Sequence, residues 1–345
     1  MRGLVKWAKG EGSIELRDIP VPEPGPGEAL IRVKAAAVCA SDVHLLYDRF
    51  PSDPPVVIGH EFSGVVERLG AGVEHIGLGD AVVSENNPQA CGTCRICALG
   101  FPNLCPAKKA FGFKSDGCFA EYVKLPANLL HKIPPGVSFD AAALCEPLAV
   151  ATGAVVDRCG IADGDTVVVL GSGAVGLLAA QVARAEGAQR VIVAGTGRDV
   201  EHRLACGRRL GFETCNVERE DLLKRVLSCT GGMGADVVVE AAGAEAAVDL
   251  GVKLLRRAGC MVVAGITGKP AISVAWDELV SRGATVAFSY GARKRSWDKA
   301  IGYLADGRVE TEPLISNRLP LDRWEEAFRQ MERMEGIRIL LLPPG

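Results

Sequence analysis

The hydrophobic pattern of this chain changes character partway along. Up to about residue 150 the apolar runs are short, at 29–33, 64–67, 81–83 and 119–123, and Pro20, Pro22, Pro24, Pro26 and many glycines cut between them. Short apolar runs separated by Gly/Pro turn signals predict an all-β, barrel-like unit. From about residue 165 the runs alternate with helical patterns. A β-branched run at 166–170 ends in glycines and leads into an apolar helix over 174–186. A strand at 190–194, a helix with charges on one side, and strands at 235–240, 261–264 and 285–289 follow. This alternation predicts βαβ units in a parallel sheet, and runs such as Val167-Val168-Val169 suit strands buried on both faces. Beyond residue 290 the pattern predicts helices over 296–305 and 322–334, a loop around Pro313 and an apolar strand at 337–342. No internal repeat or low-complexity tract interrupts this order.

Length sharpens the division. At 345 residues the chain exceeds what one core supports, so two domains are expected. The boundaries predicted are 1–150 with 290–345 for one domain and 151–289 for the other. With 48% hydrophobic and 23% charged residues the composition is that of an ordinary globular protein. A net charge of −3 gives no electrostatic case for nucleic acid or an acidic membrane surface. The opening residues lack the apolar core of a signal peptide. The longest apolar stretch, 137–156, is interrupted by Asp140, Glu146 and Pro147, so no membrane span is expected. The chain has 12 cysteines, part clustered and part isolated in apolar surroundings. That usage fits a reducing compartment, the cytoplasm, better than a disulfide framework.

The clustered cysteines carry the clearest chemistry. Cys91, Cys94, Cys97 and Cys105 stand at C-x2-C-x2-C-x7-C. Short loops at this spacing can place four thiolates around one tetrahedral Zn²⁺ with no open position, a closed structural site. A redox or disulfide cluster is the alternative, and the spacing suits it less well.

Gly171-Ser172-Gly173-Ala174-Val175-Gly176 is G-x-G-x-x-G between a predicted strand and a predicted helix. The first glycine makes the turn, the second lets backbone approach a pyrophosphate, and the third lets helix pack on strand. Gly171, Gly173, Ala174, Val175 and Gly176 are therefore candidate cofactor residues for NAD or NADP. An NAD site usually has an acidic residue about 20 positions on, at the end of the second strand. Here Ala194-Gly195-Thr196-Gly197-Arg198-Asp199 has no acid at that end, and its first charge is Arg198. Arg198 could hold a 2′-phosphate; alternatively it is solvated and Asp199 reaches the ribose.

A catalytic zinc needs three protein ligands and one exchangeable position. Cys39, His60 with Glu61, and Glu146 supply suitable donors. Singly, each has another reading: a buried small hydrophobe, a turn histidine, a carboxylate at a helix start.

Together these residues resemble the zinc-containing medium-chain dehydrogenases, the relatives of alcohol, sorbitol and threonine dehydrogenases. The resemblance spans nearly the whole chain. It rests on G-H-E-x2-G-x5-G-x2-V from Gly59 to Val73, Cys39-x-Ser41-Asp42-x-His44, the four-cysteine lobe, Gly117-Cys118-Phe119-Ala120-Glu121-Tyr122 and the glycine fingerprint. It implies an α/β chain with a GroES-like β-barrel catalytic domain and a Rossmann domain, a doubly wound parallel sheet. It also implies two Zn²⁺ per chain, with Cys39, His60 and Glu146 as catalytic-zinc ligands and Glu61 as a direct fourth ligand or an exchanging carboxylate. The Glu-Pro-Leu-Ala form of the third ligand is typical of the sorbitol and threonine branches, although Cys145 beside it leaves a Cys39/His60/Cys145 site open.

The implied reaction is hydride transfer between a secondary alcohol and NAD(P). Zinc would act as a Lewis acid on the hydroxyl, and Ser41 and His44 would relay the proton. The expected substrate is a small-molecule polyol, sugar or cyclitol, with L-threonine-like amino alcohols as the alternative. A non-catalytic NADPH-binding protein and a metal-independent reductase fit the ligand set poorly. A homo-oligomer, dimer or tetramer, is the usual form of such enzymes.

Overall fold

The computed structural model describes residues 1–87 and 89–344. The chain forms two compact units, Met1–Glu146 with Ala292–Ala305 and Leu314–Gly345, and Pro147–Gly291 with Asp306–Pro313.

The first unit is built on a seven-stranded sheet. Its path runs Ile315–Pro320, Arg338–Leu342, Glu28–Ala37, Glu61–Leu69, Ala81–Ser84 and Leu130–Lys132, and Tyr122–Pro126 pairs with Glu28–Ala37. A three-stranded sheet of Ile14–Asp18, Arg2–Lys6 and Val56–Val57 accompanies it. The last of the early strands differs from the sequence expectation. It begins at Tyr122, because Phe119 and Ala120 are fully buried in a bend whose backbone bonds to Ile58 and the first strand. The core gathers Ile31, Phe62, Phe111, Phe119, Trp324 and Phe328. Each side chain of this size contributes about 1.5–3 kcal/mol by leaving water. The Glu28–Ala37 strand is buried along nearly its whole length and shifts register twice against Glu61–Leu69. Such irregularities bend a sheet and help it curl.

The second unit is a six-stranded parallel sheet. Its order is Glu213–Asn216, Arg190–Gly195, Thr166–Leu170, Ala235–Glu240, Leu255–Val263 and Thr285–Phe288. In sequence terms that is 3-2-1-4-5-6, the doubly wound Rossmann order, with its switch point between Thr166–Leu170 and Ala235–Glu240. All of Thr166–Leu170 is buried, as the unbroken valine run requires. The fifth strand begins at Leu255, earlier than its apolar residues announce, since Arg256 and Arg257 open it. Among the described residues no helix is long and apolar enough to cross a membrane.

The cysteines outside the cluster are not all isolated thiols, contrary to the sequence expectation. Cys159 and Cys260 are joined as a disulfide across 101 residues of sequence. No spacing rule could have paired them, because the fold alone brings a helix end onto the fifth strand.

Candidate functional site

Three of the expected metal donors converge within the first unit. One ligand atom each from Cys39, His60 and Glu61 lies within 4.8 Å of the others. The local fold explains why. Cys39 is the N-cap of the short helix Ala40–Leu46, directly after the central strand ends at Ala37. His60 and Glu61 follow Gly59, whose φ of 93° belongs to glycine. A Cβ on Gly59 would lie 2.5 Å from the Phe119 ring, so the turn that aims His60 depends on its absence.

Asp42 completes the histidine's setting. Its Oδ1 lies 3.2 Å from His60 Nδ1, and its Oδ2 accepts from the Cys39 backbone N–H at 2.9 Å. A carboxylate on Nδ1 fixes the tautomer and leaves Nε2 as the donor, the usual arrangement behind a metal-binding histidine. Burial alone would lower the imidazole's pKa, but the charge and hydrogen bond of Asp42 hold it well above the ordinary value.

Glu61 is gripped from the other side. The Arg338 guanidinium donates to both carboxylate oxygens, at 3.1 and 3.0 Å, and its Nη2 lies 3.8 Å from Cys39 Sγ. Burial works against the Arg338 charge, yet Glu61 and Cys39 more than offset it. Glu146 is buried on the first turn of the helix Cys145–Ala154 and accepts a hydrogen bond from Asn86 Nδ2. Its carboxyl is pushed up to about 7, first by burial and then by the Glu61 charge, with His60 and Arg338 pulling the other way. Glu146 does not join the tight trio of donor atoms. Cys145 beside it is buried, and burial followed by the Glu146 charge raises its thiol pKa.

This arrangement suits zinc. The carboxyls of Asp42, Glu61 and Glu146 and the Cys39 thiol share their surroundings with one guanidinium and one imidazole. Buried anionic groups in excess call for a cation, and sulfur, nitrogen and oxygen donors together match Zn²⁺.

Ser41 and His44 share the helix Ala40–Leu46, Ser41 half-buried and His44 exposed in its last turn. Asp42, Asn86 and Arg338 had no assigned part in the sequence reading. Asp42 lay inside a recognised box. Arg338 was signalled by a lone charge opening an apolar terminal strand, since arginine is rarely buried unpaired. Asn86 had no signal.

The four-cysteine lobe also assembles. Cys91, Cys94, Cys97 and Cys105 each offer a sulfur within 4.8 Å of the others. Cys105 Sγ lies 3.6 Å from Cys91 Sγ and 4.0 Å from Cys94 Sγ. Bonds of about 2.3 Å in a tetrahedron set donor pairs about 3.8 Å apart, so these sulfurs already suit a zinc ion. The backbone N–H groups of Cys94 and Thr93 bring the Cys91 thiol down to about 6, while burial pushes Cys97 up to about 12.

In the second unit the glycine fingerprint bridges the strand Thr166–Leu170 and the helix Ala174–Ala185. A Cβ on Gly176 would sit 1.8 Å from the Gly171 carbonyl oxygen, so helix and turn close only around glycine. Gly173 caps the helix with open space around its missing side chain. The Ser172 hydroxyl beside it is buried without a hydrogen-bond partner among the described residues. An open backbone, a helix N-terminus carrying Ala174 and Val175, and an unmet hydroxyl fit a pyrophosphate. At the end of the second strand, Asp199 Oδ2 accepts from Thr196 N at 2.8 Å and Thr196 Oγ1 at 2.9 Å, and Oδ1 faces Arg203 at 3.4 Å. Arg198 is exposed.

Comparison with known proteins agrees with this geometry. Residues 25–135 match the alcohol dehydrogenase GroES-like domain, and residues 174–306 match the zinc-binding dehydrogenase domain. A sorbitol dehydrogenase from Halalkalibacterium halodurans is 36% identical over 344 residues, 99% of either chain. The chain belongs to the zinc-binding medium-chain dehydrogenases. Within that family an L-threonine 3-dehydrogenase from Bacillus licheniformis is 34% identical over 349 residues, again 99% of both chains. A zinc-binding dehydrogenase from Sinorhizobium meliloti, solved with NADP, superposes with a TM-score of 0.92 at 32% identity, covering 99% of each. This family member is accordingly a zinc- and NAD(P)-dependent dehydrogenase acting on alcohol CH–OH groups.

Proposed function

We propose that this enzyme oxidises a secondary hydroxyl of a polyol, sugar alcohol or cyclitol to the ketone. Cys39, His60 and Glu146 would hold the catalytic zinc, with Glu61 beside it. The observation that carries the assignment is the convergence of Cys39, His60 and Glu61 among surplus acidic groups, with the Glu61 charge felt by the buried Glu146 carboxyl. A zinc ion held there would supply Lewis acidity to the substrate hydroxyl, and bound NAD(P) would serve as the hydride acceptor. The chain's own residues do the rest. Asp42 keeps His60 in the tautomer that offers Nε2. Asn86 orients Glu146, and Arg338 neutralises Glu61 so that it can stand near a second carboxylate. Ser41 takes the hydroxyl proton, and the exposed His44 passes it to solvent. Cys91, Cys94, Cys97 and Cys105 would hold a second, structural zinc, making two per chain.

For the cofactor we favour NADP. Both oxygens of Asp199 are already engaged by Thr196 and Arg203, which removes the acid that would bind a ribose 2′-hydroxyl. Arg198 is free to meet a 2′-phosphate. An amino alcohol substrate is the second reading, supported by the threonine dehydrogenase relative. The decisive assay is a panel of polyols, sugars and amino alcohols run with NAD and with NADP, on wild type and Arg198→Ala. NADP should have the lower KM, and Arg198→Ala should raise it by roughly 10-fold or more while leaving the NAD value alone. Equal effects on both cofactors would discard the Arg198 role.

We further infer a cytoplasmic homo-oligomer, dimer or tetramer. Among the described residues the edge strand Thr285–Phe288 has no strand on its outer side, and Phe288 is 72% and Trp276 71% exposed. An open apolar edge suits antiparallel pairing with the same strand of a second copy. Light scattering that finds only monomer at micromolar enzyme would remove this reading.

A further inference from the structure

We propose that Cys159 and Cys260 form a reversible redox site, a thiol–disulfide staple that closes the nucleotide-binding unit on itself without taking part in the reaction. The two residues are joined in the structure with Cα atoms 5.8 Å apart. Both belong to the second unit. Cys159 ends the π-helical turn Val155–Cys159, which continues the helix Cys145–Ala154, and Gly160 stops it at a φ of 74°. Cys260 lies in Leu255–Val263, where it pairs with Val237 on one side and Thr285 on the other. The bond therefore ties the helical segment by which the chain enters this unit to the fifth strand of its sheet.

Three observations make this a redox site rather than an incidental contact. The enclosed loop of 101 residues contains the strands Thr166–Leu170, Arg190–Gly195, Glu213–Asn216 and Ala235–Glu240. Cross-linking a loop that long removes much of the unfolded chain's freedom. Both cysteines are half-buried, so a small reagent can reach them, whereas Cys206 and Cys215 in the same unit are buried. The other ten cysteines are free thiols, including the four converging in the 91–105 lobe. The bond at Cys159–Cys260 thus leaves the four lobe thiols available to a metal. Disulfides in reducing compartments are usually transient or redox-sensing.

The exchange balances with a low-molecular-weight disulfide such as oxidised glutathione as oxidant. The thiolate of one cysteine attacks the reagent, forming a mixed disulfide and expelling one glutathione thiolate. The second cysteine's thiolate then attacks the protein sulfur of that mixed disulfide and expels the other. Two protons leave the protein thiols, two electrons pass to the reagent, and the protein gains one S–S bond. Reduced glutathione reverses both steps.

The test uses the zinc-loaded enzyme equilibrated in glutathione buffers from fully reduced to fully oxidised. Non-reducing digestion and mass spectrometry read the Cys159–Cys260 linked peptide, and scanning fluorimetry reads Tm. The linked fraction should rise with the oxidised share, and the oxidised enzyme should melt on the order of 5–10 °C higher than the reduced one. Cys159→Ser and Cys260→Ser should each lose that redox-dependent shift and keep wild-type turnover. The reduced wild type serves as a folded reference should either variant prove unstable. No linked peptide at any ratio would overturn the proposal. So would a link that survives fully reduced glutathione, or a Tm shift retained in both variants.

Discussion

The two candidate metal clusters of this enzyme are built in opposite ways. The four-cysteine lobe draws all its donors from one short stretch, and its residues are mostly exposed or half-buried. The proposed catalytic cluster draws Cys39, His60, Glu61 and Glu146 from a strand end, a glycine turn and a helix start, and buries most of them. The lobe's donors are four thiols, with the Lys108 charge acting on Cys105. The catalytic donors are wrapped in partners: Asp42 on His60, Arg338 on Glu61, Asn86 on Glu146. A structural site needs only its ligands close together. A catalytic site must also fix tautomer, orientation and charge while keeping one position open, and those duties recruit residues from distant parts of the chain.

The sharpest way to break this contrast is at Glu146. Burial and the Glu61 charge push its carboxyl up to about 7, a cost that a cation beside it would offset. Glu146→Ala should lose one zinc per chain by metal analysis and cut kcat by about 10³-fold or more, because Lewis acid catalysis supplies several kcal/mol. Cys145→Ala should leave both zinc and turnover in place. Were Cys145→Ala to lose the zinc instead, the third ligand would be the thiol, and the partners around Glu146 would need another explanation.

The same contrast explains what the sequence could reveal. The Cys91–Cys105 spacing was readable because local chain geometry alone brings those sulfurs together. The glycine fingerprint was readable for a similar reason, since strand, turn and helix are contiguous and Gly176 must clear the Gly171 carbonyl. The two-unit fold followed from a change in hydrophobic period. Cys39, His60 and Glu146 were reached only through a family pattern, because no spacing links residues so far apart. Arg338 carries one signal, a lone charge opening an apolar strand, that names no partner, and Asn86 lies in a loop with no periodic signal. The Cys159–Cys260 pairing leaves no trace in local sequence, since it joins a helix end to a parallel strand. What escaped were contacts made only by tertiary packing.

A smaller effect is expected at the lobe, and it tests whether the two clusters are independent. Cys97 caps no element of the catalytic cluster, and its sulfur shares its surroundings with Cys91, Cys94 and Cys105. Metal binding to such a lobe is folding free energy for a segment with little apolar core of its own; no residue of its helix Arg95–Ala98 is buried. Cys97→Ser should therefore lose the structural zinc, lower Tm by several degrees and expose 91–105 to proteolysis. Turnover per remaining zinc should stay within about twofold, because stability is local and the proposed catalytic donors rest on other elements of the chain. Metal analysis, limited proteolysis and kcat on the same preparation read all three. Should turnover fall in step with the lobe's zinc, the clusters would share one folding unit, and the lobe's metal would be a condition for catalysis rather than a local brace.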